Sequence, residues 1–302
     1  MTRALFVFLD GVGLGAPSEH NPLHAMRLPA LAHLAGGQRW TREAQPVREA
    51  EHVFVPLDAM LGVDGLPQSG TGQTALFTGV NAAALHGRHY GPRPPTVAHD
   101  ALAEESVFAR LRDRGIPADD LAFANAYPLR FFRAMDARPR WTATTRMARE
   151  AGVRLRTARD LLLGRALTAD LTGRRWQRHL DPDHVPISPR DAGRRLAALA
   201  REHRFTLFEY PYTDTAGHGR DGLTPEAVLP IVDAALAEIV RQRGEHDLLL
   251  VCSDHGNVEQ PSTKSHTTNA VPLVALGPGA ERFAEADSLL DVAGLVAEAV
   301  AG

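Results

Sequence analysis

Short, almost wholly apolar runs recur along the chain, separated by stretches of helical periodicity, and this alternation is the strongest constraint on the fold. The runs cover residues 4–9, 52–56, 120–124, Phe205–Tyr210, Asp247–Cys252 and Val271–Leu276. Continuous rather than alternating hydrophobicity is what a strand buried on both faces requires. The pattern therefore predicts an α/β protein with a mostly parallel sheet and helices on its faces. Ser188-Pro189 and Thr224-Pro225 each place a capping hydroxyl before a proline at the first helical position, predicting helices over 189–203 and 225–243. Asp287 is the expected cap of a last helix running through Val300.

With 302 residues, 44% of them apolar and 23% charged, the chain can bury a sizeable core, which excludes disorder and a small stapled scaffold. No stretch approaches the roughly 20 apolar residues of a membrane span, and the start is too short and too soon acidic for a signal peptide. Cys252, the single cysteine, cannot form an internal disulfide. These features lead to the expectation of a soluble, cytoplasmic protein with no membrane partner. A net charge of −3 gives the molecule no reason to seek nucleic acid. Locally the balance differs: from Arg130 to Arg178 there are 13 arginines against Asp136, Glu150, Asp160 and Asp170. This irregular segment, entered through Gly91-Pro92-Arg93-Pro94-Pro95, reads as a small inserted, arginine-rich cap over 89–184 on a core of 1–88 and 185–302.

The acidic and histidine residues fall where strands end. Asp10 closes the first run, Asp214 follows Phe205–Tyr210, and Asp254 and His255 follow Asp247–Cys252. In an open parallel sheet, ligands bind outside the carboxyl ends of the strands, so these sites converge on one crevice. Asp214 and His218 are four residues apart, with Gly217 available to turn the chain between them, and His266 precedes Val271–Leu276. Mixed carboxylate and imidazole donors without a nearby thiolate suit Zn²⁺ or Mn²⁺ in a site other than a structural zinc. The six side chains are enough for two ions.

A second signal is Gln68-Ser69-Gly70-Thr71-Gly72, followed by an alanine-rich stretch over 73–85 that reads as helix. A serine at such a turn is either an ordinary helix cap or a nucleophile at the positive end of the helix, where phosphate oxygens are stabilised. A serine oxygen needs activation, which a bound metal ion provides. Thr71 is the competing nucleophile.

The order Asp10-Gly11-Val12-Gly13, Ser69, Asp214 to His218, Asp254-His255-Gly256-Asn257, His266-Thr267-Thr268 resembles the alkaline phosphatase superfamily, over about 1–85 and 205–300. The most similar members are cofactor-independent phosphoglycerate mutases and phosphopentomutases. The resemblance implies a three-layer α/β sandwich with a cap. It also implies two divalent ions, one held by Asp214, His218 and His266, the other by Asp10, Asp254, His255 and the Ser69 oxygen. Ser69 would then attack phosphorus. Gln68 stands where the mutases have asparagine, and with Thr71 is a candidate contact for the substrate phosphate. Arg130, Arg133, Arg138, Arg140 and Arg146 are further candidates, since guanidinium matches phosphate bidentately. Where the mutases carry an acidic residue and then a histidine, this chain has Gly70-Thr71-Gly72-Gln73, and its middle segment matches a compact cap of the phosphopentomutase kind in size.

The expected function is two-metal phosphoryl transfer on a small phosphorylated metabolite through phosphoserine, phosphomutase-like. A phosphatase of the same superfamily is the alternative; sulfatase or phosphodiesterase activity is weaker. A polyanion-binding protein with a structural metal is the remote one, disfavoured because the arginine-rich segment lacks the interleaved aromatics of a base-stacking surface.

Overall fold

The computed structural model describes residues 2–302. Nine strands are described: β1 (Arg3–Leu9), β2 (Val47–Glu49), β3 (His52–Leu57), β4 (Leu121–Phe123), β5 (Ala126–Tyr127), β6 (Arg156–Thr157), β7 (Phe205–Tyr210), β8 (Asp247–Cys252) and β9 (Val271–Leu276). Seven form one sheet in the order β2-β3-β9-β8-β1-β7-β4, and β5 and β6 pair separately. β8, β1, β7 and β4 run parallel, β9 runs against β8, and β3 runs against β9. β3 therefore points with the parallel four, while β2 opposes it. The sheet is mainly parallel, as expected, with the antiparallel β9 as an addition that the apolar pattern could not distinguish.

Both faces of the sheet are buried with the two-residue period of a pleated strand. In β1, Ala4, Phe6 and Phe8 enter one core while Leu5, Val7 and Leu9 enter the other; in β8, Leu248, Leu250 and Cys252 oppose Leu249 and Val251. One core packs helices Ser69–Thr78, Val107–Asp113, Ala143–Glu150 and Leu289–Ala301; the other packs Pro29–Leu34, Pro189–Arg201 and Pro225–Gln242. The result is the expected three-layer sandwich. Ser188 caps its helix by accepting the Asp191 N–H at 3.1 Å. Thr224 precedes Pro225 but makes no side-chain cap bond.

Three local expectations need correction. The last helix is capped by Ser288, not Asp287, and Asp291 completes the box by accepting the Ser288 N–H at 3.0 Å. The stretch 73–85 is not one helix, because Gly79 adopts a left-handed conformation (φ 76°) that ends Ser69–Thr78 before a second short helix at Ala82–His86. The segment 89–184 does not stand apart from the core. Leu102, Phe108, Leu121, Phe123 and Met147 belong to the main core, and β4 is the edge strand of the sheet. Further along, Ala126, Leu161, Ala166 and Trp176 form a small separate core.

Helix Ser69–Thr78 is buried along its whole length. The Thr74 and Thr78 hydroxyls donate to the carbonyls of Gly70 and Thr74, both at 2.7 Å, so these polar groups are satisfied inside an apolar layer. Phe77 anchors the helix on the sheet, its ring 5.7 Å from Phe6 and 5.3 Å, edge on, from Phe8. Phe77→Ala is expected to lower the unfolding free energy by about 3–5 kcal/mol through the cavity it leaves. Denaturant melts check this, and a loss below about 1 kcal/mol would contradict the anchoring role.

Candidate metal centre

Strand polarity brings the site together. β1, β7 and β8 deliver Asp10, Asp214 and the pair Asp254, His255 to one end of the sheet. Because β9 is antiparallel, it starts at that same end, so His266 just before it arrives there too. β3 ends there and leads to Ser69. Gly11 is needed at the turn after Asp10: its φ is 70°, and an added Cβ would stand 2.8 Å from the Asp214 Cβ.

Two groups of donor atoms result. Asp214 Oδ1 lies 3.4 Å from His218 Nε2 and 3.5 Å from His266 Nε2, and the two imidazole nitrogens are 3.1 Å apart. His255 Nε2 lies 3.4 Å from Asp10 Oδ1, 3.5 Å from Asp254 Oδ2 and 2.9 Å from Ser69 Oγ. Donors bound tetrahedrally at 2.0–2.2 Å from one ion are about 3.4 Å apart, which is the spacing in both groups. The groups adjoin, with the His255 ring stacked on His266 at 3.8 Å. Each histidine directs Nδ1 at a backbone carbonyl: His218 at Lys264 (2.9 Å), His266 at Pro67 (2.6 Å) and His255 at Gly256 (3.4 Å). Occupying Nδ1 in this way turns every Nε2 toward the centre, as metal-bound imidazoles require.

The fit to cations is tested by what the fold leaves unpaired. Asp10 Oδ1 and Asp254 Oδ2, the oxygens that face His255, are buried without a hydrogen-bond partner. Buried carboxylate oxygens in that state carry a desolvation cost that a metal ion removes. Burial, and then the charges of Asp254 and Asp214, hold the Asp10 carboxyl well above its usual range. Burial, with Asp214, pushes Asp254 up to about 7. Burial, reinforced by His266, pushes His255 down to about 3, so its imidazole is neutral. Asp214 lies below the usual carboxylate range: burial opposes this, and hydrogen bonding from His266 and the neighbouring imidazoles prevail.

Glu259 and Asn257, which the sequence reading missed, hold these loops. Glu259 is buried and accepts from Gly13 N (3.0 Å), Asn257 N (2.8 Å), Asn269 Nδ2 (3.0 Å) and the Thr267 hydroxyl, tying the loops after β1 and β8 to the segment before β9. Asn257 Nδ2 donates to Asp214 Oδ1 at 2.6 Å. Asn257 stands in the Asp254-His255-Gly256-Asn257 motif, whereas the only sequence signal of Glu259 is proximity to Asp254.

The remaining candidates are placed as follows. Ser69 is the first residue of its helix and Gln68 the N-cap, with Gln68 Nε2 directed back at the Leu66 carbonyl (3.4 Å). Thr71 is fully enclosed, its hydroxyl donating to the Gln68 carbonyl and accepting from Tyr90 N, both at 3.2 Å, so it supports the turn. Arg133, Arg138 and Arg140 are exposed, Arg130 is exposed at the edge of a large crevice, and Arg146 is partly buried with Glu150 3.8 Å away. Among the described residues none of these arginines hydrogen-bonds or ion-pairs with the donor groups or Ser69. No helix among the described residues is long and apolar enough to cross a membrane.

Comparison with known proteins agrees with this architecture. Residues 189–301 match the model of the Metalloenzyme superfamily. A 2,3-bisphosphoglycerate-independent phosphoglycerate mutase of Methanoculleus marisnigri is 32% identical over 107 residues, which is 32% of this chain and 25% of that protein. The chain thus matches a quarter of that relative's length. Among solved structures, the PH0037 protein from Pyrococcus horikoshii superposes with a TM-score of 0.55 at 14% identity, over 99% of this chain and 97% of that one. Alkaline phosphatase from the Antarctic bacterium TAB5 does so at 0.53 and 12%, over 99% and 98%. The fold is therefore alkaline-phosphatase-like, and the donor set is that of a divalent-metal site.

Metal binding would displace the proton that Asp254 takes up below about pH 7, with Asp10 shifted in the same direction, whereas neutral His255 has none to lose at Nε2. Affinity is therefore expected to rise with pH up to about 7 and to fall by roughly tenfold per unit below it, for each proton displaced. Calorimetric titration of Mn²⁺ or Zn²⁺ between pH 6 and pH 8, in buffers of different ionisation enthalpy, measures both affinity and proton release. Affinity independent of pH, with no proton released, would contradict the assignment of Asp10 and Asp254 as ligands.

Proposed function

We propose that this alkaline-phosphatase-like protein is a phosphoryl-transfer enzyme that acts on a small phosphorylated metabolite through a phosphoserine on Ser69. Two divalent ions, Mn²⁺ or Zn²⁺, complete the site, one on Asp214, His218 and His266 and the other on Asp10, Asp254, His255 and Ser69 Oγ. The observation that carries this reading is the position of Ser69 Oγ, 2.9 Å from His255 Nε2 and so beside the two unpaired carboxylate oxygens. When bound, such ions offset the negative charge on the transferring group and favour the serine alkoxide.

The chain supplies the rest. Without an ion, the Ser69 hydroxyl donates to neutral His255, which orients its oxygen into the centre. Ser69 begins a ten-residue helix, and the N–H groups of Ser69 and Gly70 take no partner among the described residues. These N–H groups stand at the positive end of the helix, ready for phosphate oxygens. Gly72 lets this turn approach the ligand loop: an added Cβ would stand 2.8 Å from the Asp254 carbonyl oxygen.

The reaction we favour is a mutase-like return of the phosphoryl group to a second hydroxyl. The matched mutase segment and the arginine-rich cap support it. Hydrolysis is the second reading, favoured by the exposure of helix Leu129–Ala137, which has no buried residue and leaves the adjacent crevice open to water.

The test is incubation of manganese-loaded protein with sugar phosphates, phosphoglycerates and a chromogenic phosphate ester, following isomerised product and free phosphate together. Isomerised product without free phosphate supports the mutase, free phosphate alone the phosphatase, and neither with any ester overturns the proposal. Ser69→Ala is expected to abolish the phosphoprotein seen by mass spectrometry and to lower turnover by at least about 10³-fold. His218→Ala should lower bound metal from two equivalents toward one. Full occupancy and full rate in that variant would remove His218 from the site.

A further inference from the structure

A large open crevice, about 990 Å³, lies at the carboxyl ends of β4 and β7 and is not accounted for by the metal donors. Two of its lining residues place it at the same end of the sheet as the centre. Tyr212 is two residues before Asp214 in the same helix. Tyr127 follows Asn125, whose side chain is bonded to the Glu209 backbone in both directions, at 2.7 and 2.9 Å. The crevice and the metal centre are thus neighbouring compartments at one end of the sheet.

The lining is specific in two ways. It is aromatic: Tyr127 stacks on Phe131 at 4.3 Å, and Trp176 and Tyr212 line the same space. It also carries charge, Arg130, Arg175 and Arg178 against Asp170 and Asp221. Arg175 is engaged, paired with Asp221 at 2.9 Å and lying over the Tyr212 ring at 5.0 Å. Arg130 and Arg178 have no hydrogen bond or ion pair among the described residues. Partly exposed rings of Tyr127, Phe131 and Tyr212, beside the uncommitted guanidinium groups of Arg130 and Arg178, suit a flat organic body bearing negative charge. A three-carbon phosphate ester would leave most of this volume filled with water.

We propose that the crevice holds the alcohol portion of the phosphoester and that the substrate carries there an aromatic or heteroaromatic ring and a second anionic group, a carboxylate or a further phosphate. The phosphoryl-transfer reading supplies the position of the transferred group at Ser69; the ring and the second anion are read from the crevice.

Phosphonates test this without turnover, because their carbon–phosphorus bond replaces the scissile ester. Binding to the metal-loaded wild-type protein is measured by calorimetry for ethylphosphonate, 3-phosphonopropionate, benzylphosphonate and 4-carboxybenzylphosphonate, a set that varies ring and second anion separately. The last is expected to bind at least about tenfold more tightly than the first. Phe131→Ala, on a helix with no buried residue, should weaken only the two ring compounds, by about three- to tenfold. Arg178→Ala, at an exposed position, should weaken only the two carboxylates. Circular dichroism confirms that both variants are folded. Equal affinity for all four compounds, or variants that alter all four alike, would overturn the proposal even if Ser69 is phosphorylated. The expected binding pattern in a protein that never forms phosphoserine would uphold the crevice assignment and remove the phosphoryl-transfer reading instead.

Discussion

The constraint on which the structure depends is the burial of carboxylate and imidazole lone pairs with no lysine or arginine to pair with them among the described residues. At the centre of the site, three Nε2 atoms and oxygens of Asp10, Asp214 and Asp254 face one another, and two of those oxygens have no hydrogen-bond partner. Such an arrangement is unfavourable by itself, since burial without partners disfavours the ionised carboxylates, and it would become favourable with a divalent ion in the space. The neighbouring polar residues serve to keep it from relaxing: Glu259 pins three loops, Asn257 holds Asp214, and backbone carbonyls fix the imidazole orientations.

The topology follows from the same need. A purely parallel sheet would deliver ligands only after its strands. Reversing β9 adds the segment before a strand, so His266 faces Asp214 from the opposite side of the crevice. Reversing β9 also restores β3 to the common direction, so the chain leaving β3 reaches Ser69 at the correct end. The buried helix behind Ser69 holds the nucleophile on a rigid element, anchored by Phe77 on β1, the strand that ends at Asp10. A displacement of either would be felt at both.

The parts of this arrangement legible in the sequence are those with local signals. Strands buried on both faces announce themselves as apolar runs, and β7, β8 and β9 were bounded to the residue. The donors were legible because aspartate and histidine at strand ends are unusual in number. Glu259 and Glu209 were not, because a single carboxylate among ordinary neighbours becomes a network only through contacts distant in sequence, such as Glu209 with Thr144 at 2.6 Å. The extent of the cap was misjudged for a related reason. Arginine content marked the surface of the segment 89–184, whereas its membership of the main core is set by Phe108, Phe123 and Met147, whose pattern is too short to show which sheet they cover. Similarly, the break at Gly79 depends on a backbone conformation that a lone glycine permits but does not dictate.

If Ser69 carries a phosphoryl group as proposed, its fate would be decided outside the metal donors. The ligands and Ser69 are indifferent to whether water or an alcohol takes the phosphoryl group, because both oxygens would approach along the same line. The outcome depends on how well the alcohol is held while the phosphoenzyme lasts. A held hydroxyl acts at an effective concentration that orientation raises far above that of a free competitor, provided that it stays within reach of phosphorus. On the proposed reading Tyr127, Phe131 and Tyr212 are the groups that would hold it, beside the exposed helix Leu129–Ala137. On the proposed reading the crevice would therefore bear on the partition between transfer and hydrolysis as well as on the choice of substrate: an alcohol that fills it would be retained for rephosphorylation, and one that does not would be lost to solvent.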